Sequence, residues 1–175
     1  MKIIVTSGAT REHIDSVRYI SNISTGSLGS LIAQYAAEIG IETVYIHGTG
    51  SVLPPCSERI THIPVTSAED TLNALLRELE DTEVAAVVHP MAVSDYTPVS
   101  SETGKISSDR DELVLTLKQT PKIVRQIKKH RPDIFLVSFK LETDISDEEL
   151  KRRALKHREQ AGSDAVVANL TGTTD

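Results

Sequence analysis

Tryptophan is absent, and only two Phe and four Tyr stand among 175 residues. The interior must therefore be built from Ile, Val, Leu and Ala. An aliphatic core suits a parallel sheet, whose central strands read as continuous β-branched runs. Cysteine is limited to Cys56, which excludes an internal disulfide framework and any Cys-cluster zinc site. No apolar run approaches the roughly 18 residues of a membrane span. The opening MKIIVTSG reads as a strand rather than a signal peptide. Positive charge is in deficit: 19 Lys and Arg against 25 Asp and Glu leave −6, a poor match to nucleic acid or a membrane surface. A cytoplasmic protein is expected, with the sequons at Asn22 and Asn169 as chance matches. Disorder is excluded by an ordinary balance of 39% apolar and 25% charged residues.

Familiar catalytic signatures are missing too. There is no G-K-[ST] of a P-loop and no G-x-S-x-G elbow. No Tyr has a Lys four residues on, which disfavours an NAD(P)-linked short-chain oxidoreductase. The six His show no zinc-ligand spacing, so no metal site built from protein side chains is expected.

What is present is alternation. Residues 2–6 (KIIVT), 42–47 (ETVYIH), 60–65, 84–89 (VAAVVH), 134–139 and 164–168 read as strands. Residues 113–117 form a further short apolar run. Helices are predicted over 27–39, 67–80, 120–130 and 146–160. The first carries Leu28, Leu31, Ile32, Tyr35, Ala36 and Ile39 at the spacing of one buried face, with Gly40 just past its end. Ser67 caps the second, and Thr120 followed by Pro121 starts the third. Ser146-Asp147-Glu148-Glu149 forms a capping box. The pattern predicts one three-layer α/β domain over residues 1–175, doubly wound with a mainly parallel sheet and helices on both faces. Ligands of such sheets bind beyond the C-terminal strand ends.

Three loops at those ends are unusually rich. The first, residues 7–25, is 19 residues long, where about 2–6 is usual. It lacks G-x-G-x-x-G and ends in Ser24-x-Gly26-x-x-Gly29, entering a helix. Two glycines and free first-turn N–H groups can cradle a phosphate; they can equally serve close helix–sheet packing. Arg11, Arg18 and Asn22 lie in the same loop, where an Arg can clamp an anion or simply be solvated. The second loop, HPMAVSDYTP, carries Asp95, either a ligand-orienting carboxylate or a turn cap. The third, residues 101–112, is polar and expected to be mobile. Its Lys105 can close over a phosphate or lie idle at the surface.

Together, TSGATREHIDSVRYISNISTGSLG, MAVSDYTP, GKISS, TPKI, SFKLET and VVAN resemble phosphopantothenate–cysteine ligase, in the stand-alone bacterial form, across essentially the whole chain. The resemblance implies a Rossmann-like dimer in coenzyme A biosynthesis. It joins 4′-phosphopantothenate to cysteine through an acyl-cytidylate, using CTP with Mg²⁺ and no flavin. By position, Gly8, Ser24, Gly26 and Gly29 match its nucleotide cradle. Asn22 matches the asparagine that processes the acyl-nucleotide, and Arg18 a phosphopantothenate contact. Met91, Ala92 and Asp95 match the substrate and nucleotide loop, and Lys105 matches the flap lysine. Thr120, Pro121, Lys122, Ile123, Phe139 and Asn169 match nucleotide contacts. Lys156 is the candidate for a helix lysine. Phe139 is suited to pack on the base. Ala9, Ser138 and Leu170 depart from the family's usual Gly, Gly and Asp, and related chains continue further. A non-catalytic nucleotide-binding homologue is the alternative reading, and an NAD(P)-linked oxidoreductase a distant one.

Overall fold

The first apolar run forms β1 (Lys2–Ser7), which is buried beyond its first residue. In this computed structural model, residues 1–109 and 111–171 are described. The elements that follow are β2 (Arg11–His13), β3 (Tyr19–Ser21), α1 (Ser27–Glu38), β4 (Glu42–Gly48), β5 (Ile60–Val65) and α2 (Ala68–Glu78). Then come β6 (Val84–His89), β7 (Tyr96–Pro98), β8 (Leu117–Gln119), α3 (Ile123–His130), β9 (Phe135–Glu142), α4 (Asp147–Ala161) and β10 (Ala165–Leu170).

The central sheet has six strands in the order β10-β9-β6-β1-β4-β5, and every neighbouring pair is parallel. The chain runs outward from β1 through β4 to β5, then returns to β1's other side. With right-handed crossovers, that reversal puts helices on opposite faces. Alternate residues of each strand serve the two layers. Ile4, Val44, Ile46, Val87 and Leu136 pack with α2 and α3. Ile3, Val5 and Tyr45 pack with Ala33, Ala36 and Ala37 of α1. α4 lies on β9 and β10 beside α3. The fold is the expected α/β, Rossmann-like one. Among the described residues, no helix is long and apolar enough to cross a membrane.

Several local expectations are overturned. α1 buries Gly29, Ser30, Ala33, Ala36 and Ala37, and turns Leu28, Leu31, Tyr35 and Ile39 outward. Small residues let the helix approach β1 closely, so the large apolar stripe is left on the outside. The helix does end as predicted: Gly40 has φ 86, and the N–H groups of Gly40 and Ile41 close on the carbonyls of Ala37 and Ala36. Of the apolar run 113–117, only Leu117 enters a strand. The strand is β8, and it pairs antiparallel with β7 as a separate hairpin. Thr120 does not cap α3; the N-cap is Lys122. Thr120 is held instead between β7 and the preceding loop, its hydroxyl donating to Ser94 O at 2.6 Å and its N–H to Asp95 O at 3.0 Å. The capping box of α4 is half made. Ser146 Oγ accepts from Glu149 N–H, while the Glu149 carboxylate turns to Arg152 and Arg153. Two guanidiniums within one turn outcompete a single exposed backbone donor. The reciprocal box forms at α2, between Ser67 and Asp70.

Candidate active site

The strand order reverses between β1 and β6, and the candidate crevice lies beyond their C-terminal ends. Its floor is braced by backbone. Past β1 the chain runs beside the loop after β6: Ala92 N–H donates to Gly8 O at 2.8 Å and Thr10 N–H to Ala92 O at 3.3 Å. Ser94 N–H donates to Thr10 Oγ1 at 2.9 Å.

Gly8, Gly26 and Gly29 each have a packing reason to be glycine. Gly8 has φ 82, and a Cβ there would run into Ser51 Oγ. Gly26, the N-cap of α1, has φ 79; its Cβ would lie 2.8 Å from Ser7 Oγ. A Cβ on Gly29 would lie 2.6 Å from Ser7 Cβ and 2.9 Å from Thr6 O. Ser7 Oγ donates to Gly26 O at 2.8 Å and ties the helix start to the end of β1. Gly26 gives α1 no side-chain cap. Ser24 is exposed just before this turn.

The long first loop contains the β2–β3 hairpin, which sequence reading took for irregular chain. Two roles inside it were not legible. Buried Glu12 accepts from Ala68 N–H at 2.8 Å and so caps α2 from a distant strand. Buried Asp15 gathers the hairpin tip: Oδ1 accepts from Val17 N–H at 2.9 Å and from Arg18 N–H at 2.7 Å. Its Oδ2 accepts from Arg18 Nη1 at 2.7 Å and Ile106 N–H at 3.1 Å. Burial pushes the Asp15 carboxyl up, but the N–H groups of Val17, Ile106 and Arg18, with the Arg18 charge, outweigh it and hold it below the usual range. Arg11 stacks on Tyr19, with Cζ 4.6 Å from the ring centroid. Exposed Asn22 reaches across the crevice and donates from Nδ2 to Val93 O at 3.1 Å.

The second loop divides inward and outward. Met91 is buried in the core, its sulfur 3.7 Å from Thr71 Oγ1, so it offers the crevice its backbone alone. Ala92 is partly buried. Exposed Asp95 pairs with Lys122 Nζ at 2.6 Å on the rim. Pro121 is exposed, whereas Ile123 belongs to the core under α2 and α3. Lys105 is exposed in the connection between β7 and β8. Arg110, within that same predicted mobile segment, lies outside the described residues. A groove of about 400 Å³ runs between the hairpin tip and this flap, lined by Ile14, Lys105, Ile106 and Leu113. The glycines of the switch point do not line it.

β9 continues past the His89–Ser138 pairing, so Phe139 and Lys140 project beyond β6. Phe139 sits on the α1 side of the sheet, and register puts Val167 and Asn169 on that side too. On the other side, His89 Nδ1 lies 2.8 Å from Thr6 Oγ1. Burial pushes its pKa down to about 4, with His157 contributing. His157 is itself lowered, by burial and then by Lys140, Arg125 and Lys122. Its Nε2 and Ser138 Oγ are buried with no hydrogen-bond partner among the described residues. Thus α4 turns His157 toward this basic cluster, and Lys156 is exposed. Ala154 and Ala161 are the buried residues of α4, which puts 157, and not 156, on its inward face. Among the described residues no group of three or more His, Cys, Asp or Glu is placed to hold a metal.

A family model described as the DNA/pantothenate metabolism flavoprotein C-terminal domain matches residues 1–175. The coenzyme A biosynthesis bifunctional protein CoaBC of Thermococcus kodakarensis is 44% identical over 168 residues, covering 96% of this chain and 41% of that protein. The chain thus spans about two fifths of the length of the curated relatives it matches. The crystal structure of the DNA/pantothenate metabolism flavoprotein from Streptococcus pneumoniae superposes with a TM-score of 0.92 at 34% identity, covering 100% of this chain and 84% of that one. The C-terminal domain of a CoaBC protein superposes with a TM-score of 0.79 at 28% identity, covering 96% of this chain and 76% of that one.

Proposed function

This chain belongs to the family of DNA/pantothenate metabolism flavoprotein C-terminal domains, and on that premise we propose that it is a phosphopantothenate–cysteine ligase of coenzyme A biosynthesis. The observation that carries the reading is convergence at the switch point. Arg18 and Asn22 of the long first loop, the loop after β6 and the flap that carries Lys105 are three stretches of chain, and the first is hydrogen-bonded to each of the other two. The relatives named for coenzyme A biosynthesis support the pathway.

In the proposed reaction a carboxylate oxygen of 4′-phosphopantothenate attacks the α-phosphorus of CTP, and the bond to pyrophosphate breaks. The cysteine amine then attacks the acyl carbon, CMP leaves, and the amine loses its proton. Gly8, Ser24, Gly26 and Gly29, with the uncapped start of α1, receive the nucleotide phosphates. Asn22 gives up its bond to Val93 O and donates to the acyl oxygen as charge builds there. Arg18 contacts phosphopantothenate, as do Met91 and Ala92 through backbone. Lys105 neutralises phosphate charge. Asp95, Thr120, Pro121, Lys122, Ile123, Phe139 and Asn169 border the nucleotide, and Lys156 reaches it from the exposed face of α4. Mg²⁺ would be held by the CTP phosphates and would supply charge neutralisation there, since among the described residues no cluster of carboxylates is placed to hold it. No flavin is needed for this chemistry. We also infer a cytoplasmic homodimer, supported by the outward apolar stripe of α1.

The test is pyrophosphate release with CTP and ATP side by side, with and without 4′-phosphopantothenate. Release that needs both CTP and the acid, before cysteine is added, is expected. No release with either nucleotide would sink the proposal.

A further inference from the structure

The two oxygens of Asp15 have different work. Oδ1 closes the hairpin tip by accepting from Val17 and Arg18 N–H, a local turn that any capping carboxylate or amide can make. Oδ2 has one partner in the tip and one far off in sequence. It binds Arg18 Nη1 at 2.7 Å and, across 91 positions of sequence, Ile106 N–H at 3.1 Å. The same Arg18 Nη1 lies 3.3 Å from Ile106 O. Asp15 and Arg18 thus hold both polar groups of Ile106, one peptide bond from Lys105. A second staple, Glu102 N–H to Ile14 O at 3.0 Å, fixes the near end of the flap. The carboxylate is wholly inaccessible, and Arg18 is its charged partner. A buried charge held by four donors resists displacement by water.

We propose that Asp15 is a positioning residue, a latch that ties the Lys105 flap to the Arg18 loop and sets both cations over the crevice. What the two cations then do rests on the ligase reading above; the latch itself does not. Asp15 never meets substrate. It acts by fixing where Lys105 starts from and which way the Arg18 guanidinium faces.

Two variants separate this from a purely structural role. Asp15→Asn keeps an oxygen for the turn and puts an NH₂ where two donors point. Ile106→Pro removes the flap's N–H and leaves every bond within the hairpin tip intact, so it carries the test if Asp15→Asn fails to fold. Hydrogen exchange across residues 101–108 should accelerate about tenfold or more in both, with β1 and β4 unchanged. With CTP and 4′-phosphopantothenate, kcat for pyrophosphate release should fall about tenfold in each variant. In a Lys105→Ala background, adding Asp15→Asn should lower kcat by a smaller factor than it does in the wild type, because the share carried by Lys105 is already lost and only the share carried by Arg18 remains. Unchanged flap exchange in the folded variants overturns the latch. A loosened flap with undiminished kcat overturns the positioning role. Inactive wild-type protein overturns the ligase reading instead, and the exchange experiment then decides the latch alone.

Discussion

At the scale of single residues, the ionisable groups under the sheet's C-terminal edge are set by burial more than by charge. His89 is the clearest case. Its pKa falls from 6.5 to about 4, with burial first and His157 second. A folded pKa below the unfolded one means that protonation favours unfolding. Stability is therefore complete above pH 6.5 and drains as pH falls toward 4. Between pH 7.5 and 5 the loss from this one group should be about 2 kcal/mol. Urea unfolding at the two pH values should show it, and His89→Gln should flatten the difference. An equally steep loss in the variant would place the sensitivity elsewhere. Arg18 and Asn22 stand out in the sequence because polar residues in an overlong loop have few evident folding reasons to be there, whereas Lys105 stands out only through the family resemblance. Asp15 and Glu12 do not, because a buried carboxylate declares itself only through partners far away in sequence: Ile106 for one, Ala68 for the other.

At the scale of elements, α1 shows what hydrophobic periodicity can miss. Its apolar residues Leu28, Leu31, Tyr35 and Ile39 do share one face, and that face is the outer one. Periodicity reports that a face is apolar; it does not say what covers it. The decisive feature was the opposite stripe of Gly, Ser and Ala, which permits contact with β1 at a distance that no larger residue allows. Gly29→Ala tests that contact. Helix propensity alone would favour Ala by about 1 kcal/mol. The new methyl would sit 2.6 Å from Ser7 Cβ and 2.9 Å from Thr6 O. Overpacking of that kind costs about 1–3 kcal/mol, so the variant should lower the thermal midpoint. A rise would show that the contact gives way easily. Likewise, β7 and β8 are too short for a pattern to register, and their pairing depends on residues far apart in sequence.

At the scale of the molecule, helices cover the two sheet faces unequally. α2, α3 and α4 occupy one face, while α1 sits alone over β1 and β4. On the α1 side, Phe135, Leu141 and Val167 are exposed, and the outer face of α1 adds Leu31 at 61% and Tyr35 at 64% exposure. If the proposed homodimer uses the α1 stripe, Leu31→Glu should convert dimer to monomer in sedimentation velocity without lowering stability, since the side chain supports no core. A wild type that is monomeric at tens of micromolar would refute the dimer. The sequence by itself determined the α/β alternation, the aliphatic parallel sheet and the stretches that meet at its C-terminal edge. These follow from local periodicity and from loop length, which are properties of neighbouring residues. Tertiary structure alone decided which face of α1 is buried, that His157 rather than Lys156 looks inward, and that Asp15 grips the flap. Each of those depends on what lies opposite in space, and a chain carries that information only once it has folded.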